Sequence, residues 1–363
     1  MDELDNSARP VLQFREFSGC AMRKSANLRK CVFAFLLLLT VCRGGPLREV
    51  FKRTETLMGT VVEVRVVTAD REKAEAAIND AFRVMREAEG RLSFYRPDSE
   101  ISRLNAAGSL VVSPLTFNCI EKAVKAGRLT SGAFDITAGP LVKLWQEAGR
   151  LKQLPTPEQI EAARGRVGYE RIGLDPIKRR VTLSADTRID LGATATGYAV
   201  DMAIDVLRRR GITSAVVNAG GNLYVLGRAL DDGPWRVRVP NPFAPNAKPF
   251  VATAGLKDMA CVSSEYYHRR VEIDGKRYSD VIDPRTGWPV EAAASVTVVA
   301  PTTAMADALA AGICVLGPEE GIALAERLSD VYVLVITGDK DNMKIRASSG
   351  WRKISWQDSG QGE

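Results

Sequence analysis

The chain has 363 residues, is 45% hydrophobic and 26% charged, and carries a formal net charge of +6. This is an ordinary globular composition with material for a sizeable core, and so weak a basic excess is a solvated surface, not a nucleic-acid footprint. The single histidine, His268, excludes a multi-histidine metal site, and the six cysteines show neither C-x-x-C spacing nor the density of a disulfide framework.

The first 42 residues read as an export segment. Arg23, Lys24, Arg29 and Lys30 precede the apolar run Cys31–Cys42. Twelve residues cannot span about 30 Å of hydrocarbon as a helix. A basic stretch before a short apolar one is instead the pattern of a signal peptide, with a buried core helix as the alternative. Met22 is then a candidate start, because such peptides begin near their basic region. Leu39-Thr40-Val41-Cys42 resembles a bacterial lipobox, with Val41 where a small residue is usual, and makes Cys42 a candidate for lipid attachment.

Beyond it, apolar and polar residues alternate over Thr60–Val67, predicting a strand. Asp70 can cap a helix to about Glu89 whose inner face is Ile78, Phe82, Met85 and Ala88. A second helix is expected over Leu115–Thr130. A third starts at the capping box Thr156-Pro157-Glu158-Gln159. A strand at Val181–Ser184 leads through a Gly/Thr-rich turn into a helix from Thr196 to Arg210, closed by Gly211. Ala215–Val217 and Leu223–Leu226 are short strands, and Asp274-Gly275 marks a two-residue hairpin. The C-terminal part predicts a strand at Val296–Val299, helices at Thr303–Val315 and Pro318–Leu328, and a buried strand at Val331–Ile336. Mixed strands and helices with no linker between them imply one α+β domain over residues 50–357.

No G-x-G-x-x-G, Walker A or G-x-S-x-G is present, which weighs against a dinucleotide redox enzyme, an NTPase and an α/β-hydrolase. Four polar-glycine segments stand out instead. Asp190–Asp201, D-L-G-A-T-A-T-G-Y-A-V-D, sets small residues at a helix start, where free N–H groups favour a phosphate; a plain capped helix start is the equal alternative. Asn218–Asn222 is either a hairpin turn or a close approach of backbone to ligand. Asp280–Pro289, D-V-I-D-P-R-T-G-W-P, is a rigid polar loop, functional or merely structural. Ala306–Gly312 places Asp307 among small residues as a helix cap or a hard-cation ligand.

In this order, these four segments resemble the ApbE family, the FAD:protein FMN transferases. Thr56–Thr60, Leu92–Glu100, Gly132–Asp135 and Ser295–Pro301 add to the resemblance, which spans about residues 52–336. It implies a T-fold-like α+β domain of two lobes with FAD between them. It places Met58 and Tyr95 on the isoalloxazine ring, a flat apolar surface suited to thioether and aromatic contact. Ala133, Phe134, Asp135, Asp190, Thr196, Val281 and Ile282 fall at further FAD-contacting positions. Mg²⁺ would sit on the pyrophosphate, held by the backbone oxygen of Ala193 and by Asp307. The implied reaction transfers FMN to a threonine of an acceptor protein and releases AMP. The implied partner is the flavoprotein subunit of an exported electron-transfer system, at the periplasmic face of the inner membrane.

Three positions depart from the family pattern. Thr196 stands where a lysine is usual, Asp280 where a histidine is usual, and Ala311 where a threonine commonly ligates the metal. Asp280 is then the candidate catalytic base, as a carboxylate in a dry cleft, and a backbone carbonyl or water would replace the ligand missing at Ala311. The departures leave two other readings open: an FAD-holding protein impaired in transfer, and a hydrolase giving FMN and AMP.

Overall fold

Side-chain alternation along one antiparallel sheet divides the interior of this protein in two. The computed structural model describes residues 47–355, apart from 245, 266–269, 274 and 291–292. The expected export segment with Met22 and Cys42, and His268, lie outside the described residues, as do residues 356–363. The chain opens with β1 (Glu49–Leu57), β2 (Thr60–Thr68), α1 (Arg71–Leu92), α2 (Glu100–Ala107), β3 (Ser109–Val111), α3 (Pro114–Leu129), α4 (Gly139–Leu151) and α5 (Pro157–Arg164). Next come β4 (Ile172–Asp175), β5 (Arg180–Leu183), α6 (Ala195–Arg209), β6 (Ala215–Ala219), β7 (Asn222–Leu226), β8 (Trp235–Pro240) and β9 (Phe250–Leu256). It closes with β10 (Met259–Glu265), β11 (Arg270–Ile273), β12 (Lys276–Ser279), β13 (Ser295–Ala300), α7 (Thr303–Glu326), β14 (Tyr332–Thr337), β15 (Lys344–Ala347) and α8 (Trp351–Ile354).

The main sheet has eight strands in the order β1-β2-β6-β7-β10-β13-β14-β15, each pair antiparallel. Val62, Val64, Val66, Val217, Val262, Val296, Val298 and Val335 face a core shared with α1, α6 and α7. Their sequence neighbours Val67, Val216, Cys261, Val299 and Leu334, with Leu223 of β7, face the other way, where the β8–β9 hairpin and Trp351 cover them. Period-two alternation therefore reads as apolar on both faces, because both are covered. A smaller lobe forms around α4, α5 and the β11–β12 hairpin, centred on Leu141, Trp145, Ile160 and Ile282.

Local signals account for the ends of several elements. Asp70 accepts from Lys73 N at the start of α1, and Thr156 and Gln159 form the capping box of α5. Gly211, at φ +71°, follows the last turn of α6. The two helices expected over 303–328 are both present within α7, separated by a kink at Gly317, at φ 78° and ψ 176°, just before Pro318. Among the described residues α7 is the one helix long and apolar enough to cross a membrane. Its first half is buried against β10 and β13, so it is a core helix.

Candidate active site

The starts of α6 and α7 meet in the interior. Gly197 allows the contact: a Cβ there would stand 2.6 Å from the Thr303 carbonyl oxygen, closer than any side chain tolerates. Each helix supplies an acceptor to the other. Asp201 of α6 accepts from the amides of Thr303 (2.7 Å) and Ala304 (3.0 Å), two of the donors that α7's first turn leaves without intrahelical partners. Asp307 of α7 accepts from the Gly197 amide at 3.2 Å through Oδ2. The same oxygen accepts from Asn222 Nδ2 at 2.9 Å, so three segments converge on one carboxylate.

Asp307 is 8% exposed. Burial pushes its carboxyl up to about 7, against the opposing pull of the Gly197 and Asn222 donors, and the Asp201 charge adds to the rise. Burial also raises Asp201, against the amides of Ala304 and Thr303. The cap alternatives from the sequence do not hold here. Thr302 caps α7, accepting from Met305 N, and leaves Asp307 inside the helix. Thr194 stands at the start of α6 but makes no side-chain cap bond. The amides of Ala195 and Tyr198 bond to Leu191 and Thr194, while that of Thr196 meets no acceptor among the described residues. A free amide at a helix start is a site for an anion.

Asn218–Asn222 is a hairpin turn, with Gly220 and Gly221 at φ +59° and +99°. Gly220 is further constrained because a Cβ would meet Thr60 Oγ1 at 2.3 Å. The last residue of this turn, Asn222, reaches Asp307.

The other sequence-predicted residues gather in two neighbouring groups. Met58 and Tyr95 lie beside the C-terminal end of α1. The Met58 amide donates to Glu89 Oε1 at 2.6 Å, and the Tyr95 amide to Ser93 Oγ at 3.2 Å. Tyr95 is 89% exposed and edge-on to Phe94, so it is not a core residue but an open aromatic surface. Phe94, Ser102, Asn105, Ala106 and Arg188 line a cavity of about 190 Å³ beside it. Asn105 in turn holds Ile189 by two 2.8 Å bonds, next to Asp190.

The second group surrounds the 133–135 loop. The Asp190 amide donates to Ile136 O at 2.8 Å. Ala133 and Phe134 are buried, Phe134 against α7 at Gly312. Asp135 spends its carboxylate internally, on the Thr137 amide and hydroxyl and on the Tyr169 amide. Burial raises its carboxyl despite these bonds. Val281 packs on the main core and Ile282 on the smaller lobe, so this pair sits where the lobes meet.

The positions that depart from the pattern divide between these surroundings. Thr196, half-buried, lies in the first turn of α6, beside Ala193, which is exposed. Ala311 is half-buried one turn beyond Asp307 and offers no oxygen from its side chain. Asp280 is exposed, on a loop edge near the Cys314 thiol, and the described residues do not close a dry cleft around it.

Sequence reasoning missed three contributors to the junction: Asp201, Gly197 and Asn222. The first two lie inside the Asp190–Asp201 segment and Asn222 closes the hairpin turn, but their long-range partners leave no local trace.

The donor set suits a hard cation shared with a ligand. Among the described residues no three His, Cys, Asp or Glu side chains converge into a closed cage. Asp307 offers Oδ1, which takes no hydrogen bond from the described residues, beside a helix start whose Thr196 amide meets no acceptor among them. One carboxylate oxygen plus phosphate oxygens and water is a set that Mg²⁺ accepts.

An α+β protein that sets two carboxylates, Asp307 and Asp201, between two helix starts offers groups that a phosphate and a cation can use. Comparison with known proteins makes this specific. The model of the ApbE family matches residues 58–335. A FAD:protein FMN transferase of Haemophilus influenzae is 30% identical over 89% of this chain and 96% of its own length. One from Vibrio cholerae is 34% identical over 88% and 96%. Among solved structures, the flavinyl transferase ApbE of Pseudomonas stutzeri in its apo form aligns with a TM-score of 0.75 at 29% identity, covering 85% of this chain and 97% of that one. The chain belongs to the ApbE family.

Proposed function

We infer that this protein transfers the FMN half of FAD onto a threonine hydroxyl of an acceptor protein. The observation that carries the reading is the match to FAD:protein FMN transferases over nearly their whole length. The buried junction of Asp307, Gly197 and the free Thr196 amide supports it, because an enzyme that cleaves a pyrophosphate needs a place for phosphate and cation.

In this reading the isoalloxazine lies between the lobes against Met58 and Tyr95, with Ala133, Phe134, Val281 and Ile282 closing the pocket. Asp190 and Asp135 shape its polar rim, Asp135 by bracing the loop. The pyrophosphate faces the start of α6, where the Thr196 amide donates to it. Mg²⁺, held by Asp307 and the Ala193 carbonyl, would neutralise pyrophosphate charge and favour displacement at phosphorus. The acceptor hydroxyl oxygen forms the new bond to the FMN phosphorus. The bond from that phosphorus to the bridging oxygen breaks, and its electron pair leaves with AMP. The hydroxyl proton passes to Asp280, whose exposure suits a base that the acceptor itself covers.

A second reading, an FAD-holding protein without efficient transfer, is favoured by one observation: neither Thr196 nor Ala311 supplies the group usual in the family. Co-expression with a threonine-bearing flavoprotein subunit separates the readings. Covalently yellow acceptor supports transfer. Bound FAD with no covalent product supports the holding protein, and AMP release without acceptor supports hydrolysis. The basic and apolar stretches before Cys42 support a reaction outside the cytoplasm. Fractionated cells should yield a chain lacking residues 1–41, membrane-held where Cys42 is acylated; a cytoplasmic chain retaining the apolar run would overturn export.

A further inference from the structure

Asp307 has two carboxylate oxygens in different situations. Oδ2 takes both hydrogen bonds, from Asn222 Nδ2 at 2.9 Å and from the Gly197 amide at 3.2 Å. Oδ1 takes none. The two donors come from elements far apart in sequence, 85 and 110 positions from Asp307. The Gly197 donor is backbone and belongs to a helix start that cannot move without breaking its close contact with Thr303. The Asn222 donor is a side chain, and its place is fixed from both sides. Asn222 pairs with Ala219 across the hairpin and with Val262 of β10 on its other edge. The turn before it is braced by Asn218, whose Oδ1 accepts from the Gly221 amide at 3.1 Å.

From this geometry we propose that Asn222 is a positioning residue for the cation site: its amide clamps Oδ2 of Asp307 so that Oδ1 is the oxygen presented to the metal. The inference rests on the reading of Asp307 as the Mg²⁺ ligand. An amide suits the task better than the alternatives. A carboxylate at 222 would set like charge against Oδ2, and an ammonium would compete with the cation for Asp307. A neutral donor restricts the carboxylate's rotation while leaving its charge available. Partners of this kind, behind a ligating group, typically contribute about 10- to 100-fold to metal affinity.

The test titrates Mn²⁺ into the FAD-loaded protein by electron paramagnetic resonance, beside FAD affinity measured in EDTA. Asn222→Ala should weaken Mn²⁺ binding about 10- to 100-fold and leave FAD affinity in EDTA within about twofold of wild type. A packing role alone would disturb both measurements together, and that result overturns the proposal. If Asn222→Ala does not fold, Asn222→Ser, which keeps a polar group in the hairpin but cannot span to Asp307, is read in the same way. Asp307→Asn is the reference. If it loses Mn²⁺ while the Asn222 variant binds at wild-type strength, the positioning role is wrong and the metal reading stands. If Asp307→Asn itself binds Mn²⁺ at wild-type strength, the metal reading fails and takes the positioning role with it.

Discussion

At the start of α7 the polar groups are buried and their partners lie 85 to 110 positions away. In the 280–289 loop nearly every bond is local. Asp283 accepts from the amides of Gly287 and Arg285 and pairs with the Arg285 guanidinium at 2.8 Å. The Trp145 indole, donating to Gly287 O at 2.8 Å, and the Arg164 guanidinium, donating to Arg285 O at 3.1 Å, tie the loop to the smaller lobe. The junction is thus specified by the whole fold, and the loop by its own residues. A group that holds a cation gains from the first plan, since burial strengthens every electrostatic interaction. A group that meets an incoming protein gains from the second, because it must be reachable.

The largest expected effect tests the loop. Asp280→Asn removes the proposed base without changing size. Transfer to the acceptor should slow by roughly 100- to 10,000-fold, the range general-base catalysis supplies, with FAD affinity unchanged. A wild-type transfer rate in single-turnover assays would reduce Asp280 to part of a rigid turn, and the comparison would lose its functional half.

The junction should respond to pH. Burial raises the carboxyls of Asp307 and Asp201, the former to about 7 from an ordinary value near 3.8. In the metal-free protein both are favoured in their neutral form. At pH below the ordinary carboxylate range they are neutral folded and unfolded alike, and the stabilising contribution is complete. As pH rises, the unfolded chain ionises first, and the contribution is lost up to about pH 7. For Asp307 this is on the order of 4 kcal/mol. Melting of the EDTA-treated protein should therefore fall as pH rises from 4 to 8, and fall less in Asp307→Asn. Mg²⁺ should restore stability most at the higher pH, because it binds the ionised form. An equal fall in wild type and variant would place the pH dependence elsewhere.

Tyr95→Ala gives a smaller effect at a third kind of site, an exposed aromatic with no long-range bond. FAD binding should weaken by about 1–3 kcal/mol, as when a stacking surface is lost. Melting temperature in the absence of FAD should hold, since Tyr95 buries almost nothing. Loss of stability with unchanged FAD affinity would make Tyr95 structural after all.

The same contrast governs what the sequence reveals. Elements with local signals are legible: Asp70, the Thr156–Gln159 box and Gly211 mark helix ends that the fold keeps. The α4 helix escapes because Ala138 offers no capping side chain. β1 escapes because only Phe51 and Leu57 of its nine residues are buried, so its alternation is faint. The β8–β9 hairpin escapes because its connection, 241–249, is too long for a two-residue hairpin signal. At the site, Asp307 is visible as an isolated carboxylate among small residues. Its partners are not, because no spacing in the chain announces that a hairpin turn and a helix start will close on it.

The smallest expected effect probes the junction by adding to it. Ala311 is half-buried one turn after Asp307, where the family commonly has a metal-ligating threonine. Ala311→Thr returns a hydroxyl oxygen to the helix face that carries Oδ1. One further neutral ligand should lower the Mg²⁺ concentration for half-maximal transfer by a few-fold, about 1 kcal/mol or less, the scale of a single modest polar contact. Two costs work against it. A β-branched residue loses side-chain freedom in a helix, and its hydroxyl can bond back to the carbonyl four positions earlier, which is that of Asp307. Both act on the helix without metal, so they appear as a lower melting temperature in EDTA. The Mg²⁺ requirement, measured at saturating FAD, isolates the ligand. A lower requirement with a slightly less stable apo protein is the expected pair of results. An unchanged requirement in a folded variant would mean that the cation meets Asp307 from the side of α6, away from residue 311, and that the Ala193 carbonyl and water complete its shell.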